Sequence, residues 1–245
     1  MKVVFLGATK GMGRALARLM AARGDELFLL GRDPVELERC AQDLDVRGAG
    51  TPVRFATCDL LRADGFGAAL DEAAQGLGRF DAVVVTAGIY ALQEDLEADR
   101  ELRRRLLTVD FNNTIEFCEE ARTRLLAMGG GILCVFGSVA GDRARKPVIL
   151  YGAAKAGLAF YLEGLDSKYH SRGLRTILVK PGFVRTGMTA GLREPPIVSE
   201  PEAAARAVLK AIDRDRAVVY APPVWRAVML AVRSLPRWLM RRVEF

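Results

Sequence analysis

The stretch Lys2-Val-Val-Phe-Leu-Gly7-Ala-Thr-Lys-Gly11-Met-Gly13, followed at once by residues 14–23, decides the fold of this chain. Its apolar start predicts a buried strand, and residues 14–23 predict a helix. The three glycines let the backbone turn tightly, and they let a phosphate approach the free N–H groups at the helix N-terminus. The order of strand, glycine turn and helix predicts that this part of the chain binds a dinucleotide.

Short apolar segments alternate with helical patterns along the rest of the 245 residues. The apolar segments lack a polar alternation, which is typical of strands buried on both faces. We expect strands at 2–6, 26–30, 52–56, 82–85, 132–136, 176–179 and 217–220, and helices at 11–23, 34–47, 62–76, 99–128, 151–172 and 202–214. This alternation predicts an α/β fold with a single doubly wound, Rossmann-like parallel sheet and helices on both faces. Functional groups then belong at the carboxyl ends of the strands.

Composition narrows the classes of function. The four cysteines form no C-x-x-C pair and His170 is the only histidine, so we expect no metal site. The N-terminus lacks a signal-peptide pattern, and no uncharged apolar run reaches the roughly 18 residues of a membrane span. We therefore expect a cytoplasmic protein with reduced thiols. The net charge of +6 is concentrated after residue 222, which argues against a nucleic-acid partner.

Residues after the second and third strands bear on which dinucleotide binds. Arg32 lies where the adenosine ribose is expected, and a cation there suits a 2′-phosphate, with Lys10 as a second cation. The alternative is that Arg32 is a solvated loop charge. Asp59 either accepts a bond from the adenine amino group or caps the next helix. We expect NADP(H) as the cofactor and NAD(H) as the less favoured alternative.

Tyr151 and Lys155 are the strongest candidates for catalysis. Their spacing of four residues places both side chains on one face of a helix. An ammonium beside a phenol stabilises the phenolate, so the pair can exchange a proton with a substrate oxygen. Ser138 directly follows the fifth strand, where its hydroxyl can hold a carbonyl or alkoxide oxygen.

These residues, in this order along nearly the whole chain, resemble the short-chain dehydrogenases/reductases. The resemblance implies that Tyr151 donates the proton, that Ser138 orients the carbonyl, and that Lys155 binds the nicotinamide ribose and lowers the tyrosine pKa. It also implies that the Pro-Gly-Phe-Val-Arg-Thr segment runs past the nicotinamide. The residues expected to bind the cofactor are Gly7, Thr9, Lys10, Gly11, Met12, Gly13, Arg32, Asp59, Leu60, Ala87, Gly88, Tyr151, Lys155, Pro181, Gly182, Val184 and Thr186.

Two positions depart from the family pattern. Thr86 stands where the family has the asparagine of Asn-Ala-Gly. Asp110 aligns with the helix asparagine that serves the proton relay behind the lysine, so we include Asp110 among the catalytic candidates. The alternative is that Asn112 or Asn113 takes that role after a change of register.

The expected activity is hydride transfer from NADPH to a ketone, or the reverse. The second half of the chain is similar to the decaprenylphosphoryl 2-keto-ribose reductases, on the segment after Gly141, the Tyr–Lys helix, the segment after Arg185 and the basic C-terminus. That similarity implies a keto sugar on a lipid carrier as a candidate substrate. The alternative function is a non-catalytic NADP-binding sensor or scaffold. The family resemblance further implies a homodimer or homotetramer formed through helices 99–128 and 151–172.

Two charged regions lie outside the motif. Residues 1–221 are expected to form the catalytic domain, and 222–245 a basic amphipathic extension packed on or near it. Residues 235–245 either lie in a membrane interface, at the inner face, or the arginines are simply solvated and residues 224–232 pack on the body of the protein. The charged side chains of Asp142, Arg143, Arg145 and Lys146 follow Ser138. They either bind an anionic substrate head group or face solvent.

Overall fold

Seven parallel strands form one sheet in the computed structural model, which describes residues 1–242. They are β1 (Lys2–Leu6), β2 (Glu26–Gly31), β3 (Arg54–Thr57), β4 (Ala82–Val85), β5 (Gly131–Phe136), β6 (Leu174–Pro181) and β7 (Val218–Ala221). The spatial order is β3-β2-β1-β4-β5-β6-β7, which confirms the predicted doubly wound sheet. Because the strand order reverses between β1 and β4, a crevice opens at their carboxyl ends, where ligands bind in such sheets.

Ten α-helices lie within the described residues. They are α1 (Gly11–Ala22), α2 (Pro34–Val46), α3 (Phe66–Leu77), α4 (Gln93–Ala98), α5 (Arg100–Leu107), α6 (Asn113–Ala127), α7 (Ile149–Tyr169), α8 (Pro201–Asp213), α9 (Trp225–Ser234) and α10 (Arg237–Met240). The prediction of a single continuous helix over 99–128 is wrong in one respect. A π-helical turn at Thr108–Asn112 separates α5 from α6, and a π-helical turn often marks a functional site.

Helices cover both faces of the sheet, which explains why the strands are continuously apolar. Along β1, Phe5 faces a core formed with α1, α2 and α8, and Leu6 faces a second core formed with α3, α6 and α7. In the second core the rings of Phe66 and Phe117 meet edge to face, with centroids 5.6 Å apart. Both cores hold the strand ends in place, so the loops that follow the strands are built on a rigid base.

One segment among the described residues, Lys146–Arg172, has the length and apolar composition of a membrane-spanning helix. Lys155 and Glu163 divide this segment into shorter uncharged runs, so it does not contradict the expectation that no uncharged apolar run reaches about 18 residues. Its apolar residues Leu158, Leu162 and Leu165 are buried in the second core. Packing against the sheet thus accounts for the apolar character of α7.

Candidate active site

The glycine turn packs its backbone directly against the end of β4. Gly7 has a φ of 100°, and a side chain there would put its Cβ 2.6 Å from the backbone nitrogen of Ala87. A Cβ at Gly13 would overlap the carbonyl oxygen of Gly7. The Thr86 hydroxyl donates to that same carbonyl over 2.9 Å, so this departure from the family pattern ties β4 to the turn. Glycine is therefore required at both positions.

A cavity of about 1520 Å³ extends from this turn across the carboxyl ends of the strands. Its volume exceeds the ~300–1,000 Å³ of a typical small-ligand site, so it has room for a dinucleotide and a substrate together. The structure brings every residue predicted to bind the cofactor to the cavity wall, together with Ser138. These lining residues are Gly7, Thr9, Lys10, Gly11, Met12, Gly13, Arg32, Asp59, Leu60, Ala87, Gly88, Tyr151, Lys155, Pro181, Gly182, Val184 and Thr186.

The charged residues at the adenosine end of the cavity have distinct surroundings. Arg32 and Lys10 are both exposed. The neighbouring Asp33 is occupied as a helix cap, because its Oδ1 accepts from the backbone N–H groups of Val35 and Glu36 at 3.0 and 3.2 Å. Asp59 does not cap the next helix, as one alternative expected; its Oδ1 accepts from the N–H of Leu61 within the loop. That bond uses one oxygen of Asp59, and its side chain still borders the cavity.

Tyr151 and Lys155 lie one turn apart near the start of α7, and both are buried. The Nζ of Lys155 lies 5.6 Å from the centroid of the Tyr151 ring. Ser138 is fixed beyond β5 by its Oγ, which accepts from the N–H of Ala140 over 3.1 Å. Local chain geometry thus brings the three predicted side chains together at one end of the cavity.

Burial raises the pKa of Tyr151, and the positive charge of Lys155 and the hydrogen bond with Ser138 act in the opposite direction. Lys155 thus acts on the tyrosine pKa in the expected direction, and burial, the larger effect, makes the net direction upward. The phenol is protonated at neutral pH. This is the state that donates a proton to a developing alkoxide.

Asp110 is held in the π-helical turn, directly behind Lys155. Its Oδ1 accepts from the N–H of Ile89 over 2.7 Å, and its Oδ2 lies 3.5 Å from the Nζ of Lys155. Burial lowers the pKa of Lys155, but the negative charge and hydrogen bond of Asp110, together with Tyr151, outweigh it, and the net direction is upward. A Cβ at Gly88 would lie 3.1 Å from Asp110 Oδ1, so glycine there allows this close approach.

Asp110 lies behind Lys155, which is where its alignment with the relay asparagine puts it. Its wholly buried side chain is not on the cavity wall, so it acts as a positioning residue for Lys155 and not as a group that contacts substrate. The register alternative is wrong. Asn113 donates to the carbonyl of Leu60 over 2.7 Å, and Asn112 is exposed.

Tyr90 and Trp225 line the cavity and were not predicted as part of the active site, whereas Arg145 is one of the four loop residues expected either to bind an anionic head group or to face solvent. The ring of Tyr90 meets the ring of Tyr151 edge to face, with centroids 5.1 Å apart. Arg145 lines the cavity near these two tyrosines, and Trp225 packs its indole against Gly182. Tyr90 could have been found from its place just after β4. His170, in contrast, is exposed beyond the end of α7, with Nδ1 3.5 Å from Asp166.

Comparisons with known proteins place this geometry in a family. The family model described as short chain dehydrogenase matches residues 1–196. An uncharacterized oxidoreductase of Mycobacterium tuberculosis is 33% identical over 242 residues, which cover 98% of this chain and 96% of that protein. Carbonyl reductase family member 4 of Xenopus tropicalis is 28% identical over 211 residues, which cover 83% of this chain and 87% of that protein.

A solved structure is similar in fold. A short-chain type dehydrogenase/reductase from Mycobacterium ulcerans superposes with a TM-score of 0.81 at 22% identity, over 89% of this chain and 86% of that one. The family match, the fold and the Ser–Tyr–Lys geometry agree, and the fold implies a nicotinamide cofactor, NAD(P). The chain therefore belongs to the short-chain dehydrogenase/reductase family and is an oxidoreductase.

Proposed function

We propose that this oxidoreductase transfers hydride from NADPH to a ketone, and catalyses the reverse oxidation of the alcohol. The observation that carries the proposal is the meeting of Ser138, Tyr151 and Lys155 at one end of the cavity, with Tyr151 held as a neutral phenol. The name of one relative, carbonyl reductase family member 4, supports a carbonyl substrate. When bound, NADPH supplies the hydride for the carbonyl carbon.

Each of the three side chains has a separate task. The Ser138 hydroxyl donates to the carbonyl oxygen and holds it near Tyr151. The phenol of Tyr151 gives its proton to that oxygen as negative charge develops, a contribution of about 10²–10⁴-fold to the rate. The ammonium of Lys155 stabilises the phenolate that remains, and Asp110 keeps Lys155 in its charged form.

Support for NADPH over NADH comes from the charges after β2. Arg32 is exposed on the cavity wall, where a 2′-phosphate would offer it a charged partner. The nearest acid along the chain, Asp33, is occupied at the N-terminus of α2. An acid that accepts from a ribose 2′-hydroxyl is the usual NAD feature, and this position has a cation instead.

A kinetic comparison tests the proposal. We expect ketone-dependent oxidation of NADPH, and we expect Arg32→Asp to raise the KM for NADPH about 10- to 100-fold, as for a lost hydrogen bond to a charged group. The KM for NADH should change far less. Arg39→Asp is the matched control, because Arg39 is an exposed arginine of α2 that pairs with Glu36.

Two results would contradict the proposal. A preference of the unaltered protein for NADH would refute the assignment of Arg32. Tight binding of NADPH without oxidation by any ketone would favour the non-catalytic sensor or scaffold.

As a first candidate substrate we propose a keto sugar on a lipid carrier, encountered at the inner face of a membrane. Leu230 and Trp238 support this idea, since their side chains are 70% and 58% exposed. The guanidinium of Arg242 lies 5.7 Å from the Trp238 ring centroid. Exposed apolar residues beside arginines suit an interface with anionic lipid. The last three residues of the predicted membrane segment, 243–245, lie outside the described residues.

We also propose that the protein is a cytoplasmic homodimer or homotetramer. Phe160 on α7 supports the assembly, because its side chain is 81% exposed although it is a large apolar group. The four free cysteines are all buried, which suits a reducing compartment.

A further inference from the structure

The four charged residues that follow Ser138 have different surroundings in the structure. Asp142 is neutralised, since it accepts from the Lys180 ammonium and from the Tyr220 hydroxyl. Arg143 donates to the carbonyl of Leu235 over 2.6 Å. Lys146 is exposed to solvent. Arg145 alone among the four borders the cavity. Of the two alternatives for this loop, anion binding therefore remains open for Arg145, and exposure to solvent describes Lys146.

The side chain of Arg145 is half-buried on the cavity wall and has unmet hydrogen-bonding capacity. Its Nε is buried and has no hydrogen-bond partner within residues 1–242. No carboxylate of that part of the chain forms an ion pair with its guanidinium. The titratable groups that act on it are the phenols of Tyr90 and Tyr151, and burial lowers its pKa.

Such an arrangement costs free energy in the unliganded protein. A cation that is withdrawn from water in part is normally paired or hydrogen-bonded at its buried donors, because desolvation penalises donors left without a partner. A guanidinium also presents a planar set of donors that suits a carboxylate or a phosphate in bidentate geometry. An anion in the cavity would satisfy both requirements.

That anion is not explained by the proposed cofactor. The glycine turn that suits the pyrophosphate follows β1, and Arg32, which suits the 2′-phosphate, follows β2. Arg145 lies in the connection between β5 and α7, and β5 is two strands away from β1. Arg145 therefore belongs to the substrate end of the cavity, beside the proton donor.

We propose that Arg145 binds an anionic group, a carboxylate or a phosphate, carried by the ketone substrate. This proposal rests on the proposed function and names its substrate class. Val148, Trp225 and Val228 line the same cavity, so apolar parts of the substrate have side chains to pack against. Arg145 would thus determine which ketones are placed productively against Tyr151.

The test compares ketones that differ only in charge. One arm pairs keto acids of increasing chain length with their methyl esters, and the other pairs hydroxyketone phosphates with the free hydroxyketones. We expect a kcat/KM about 10- to 100-fold higher for the anion, as for a gained hydrogen bond between charged groups. The arm that shows the preference identifies the anion as carboxylate or phosphate.

Variants assign that preference to the side chain. Arg145→Gln should lower kcat/KM for the anionic ketone by that same factor and leave the neutral partner unchanged. Arg145→Lys should keep part of the preference, because it retains the charge but loses the planar donors. Lys146→Gln is the matched control, since it removes one positive charge from an exposed neighbour on the same loop, and it should leave the preference intact.

Two kinetic outcomes would overturn the proposal. One is an unaltered protein that reduces the neutral ketones as well as the anionic ones. The other is an Arg145→Gln variant that loses both equally, because that result shows Arg145 only supports the position of the tyrosines.

A binding measurement separates this proposal from the proposed function. Calorimetric titration of a keto acid and of a hydroxyketone phosphate into the full-length protein needs no turnover. If no ketone is reduced but an anion binds at least tenfold more tightly to the unaltered protein than to Arg145→Gln, the proposed function fails and the anion site stands. Equal binding by both proteins would refute the anion site.

Discussion

Replacing Asp110 by asparagine removes the carboxylate that contacts the Lys155 ammonium. The two side chains are buried, and their charged atoms lie 3.5 Å apart. At an effective dielectric constant of about 20, that separation corresponds to an attraction of about 5 kcal/mol. Desolvation of both charges offsets part of this attraction. We therefore expect a coupling free energy of about 2–4 kcal/mol between Asp110 and Lys155.

A double-mutant cycle measures this coupling without assigning the whole effect of one substitution to the pair. The four proteins are the unaltered chain, Asp110→Asn, Lys155→Met and the double variant, each unfolded by urea at neutral pH. We expect either single variant to be destabilised by roughly 3–5 kcal/mol, since it leaves one buried charge unpaired. The double variant should recover much of that loss.

The cycle also separates a positioning role from a merely structural one. Asp110→Asn should lower kcat for the alcohol oxidation, because Lys155 is then less firmly held as an ammonium and stabilises the phenolate less. Binding of NADPH should be changed much less. Free energies of unfolding that add without coupling, within about 0.5 kcal/mol, would refute the claim that Asp110 keeps Lys155 charged.

Three further predictions follow from the same contacts. Because burial raises the pKa of Tyr151, the rate of ketone reduction should not change with pH through neutrality and should fall only as the phenol ionises at alkaline pH. The rate of alcohol oxidation should rise over that alkaline range. A reduction rate that falls near pH 7 would contradict this prediction. Gly13→Ala should lower the free energy of unfolding by about 1–3 kcal/mol through overpacking, and it should weaken cofactor binding in a titration. Gly164→Ala is the control, because a Cβ added at Gly164 meets no atom within 4 Å, and it should not destabilise the protein. The protein should co-sediment with anionic vesicles, less so at high salt, and Trp238→Asp should reduce this binding while turnover of a soluble ketone persists; equal sedimentation of both chains would leave Trp238 without a membrane role.

Sequence reasoning found the residues whose roles depend on local spacing. The glycine turn and the Tyr151–Lys155 pair each lie within one strand–turn–helix or one helix, so their geometry follows from the chain itself. Ser138 was found because the end of a parallel strand marks the functional edge of the sheet. These predictions needed no knowledge of how distant segments pack.

The residues that sequence reasoning missed depend on contacts between distant segments. Trp225 reaches Gly182 only because α9 folds back over the end of β6. The sequence left open which residue of the loop after Ser138 faces the cavity; Arg145 borders it, whereas Arg143 and Lys146 do not, and no local pattern reveals this. The π-helical turn that carries Asp110 interrupts a stretch whose sequence suits a continuous helix. Packing, rather than propensity, decides these three features.

Isotope transfer tests the central claim most directly. NADPH labelled with deuterium at C4 of the dihydronicotinamide, on each face in turn, is incubated with a ketone that the protein reduces, and the alcohol is analysed by mass spectrometry. We expect one label to appear on the carbinol carbon, and we expect Tyr151→Phe to slow its transfer by roughly 10²–10⁴-fold while NADPH binding is retained. Alcohol free of deuterium from both labelled forms, or transfer by Tyr151→Phe at the unaltered rate, would contradict the account.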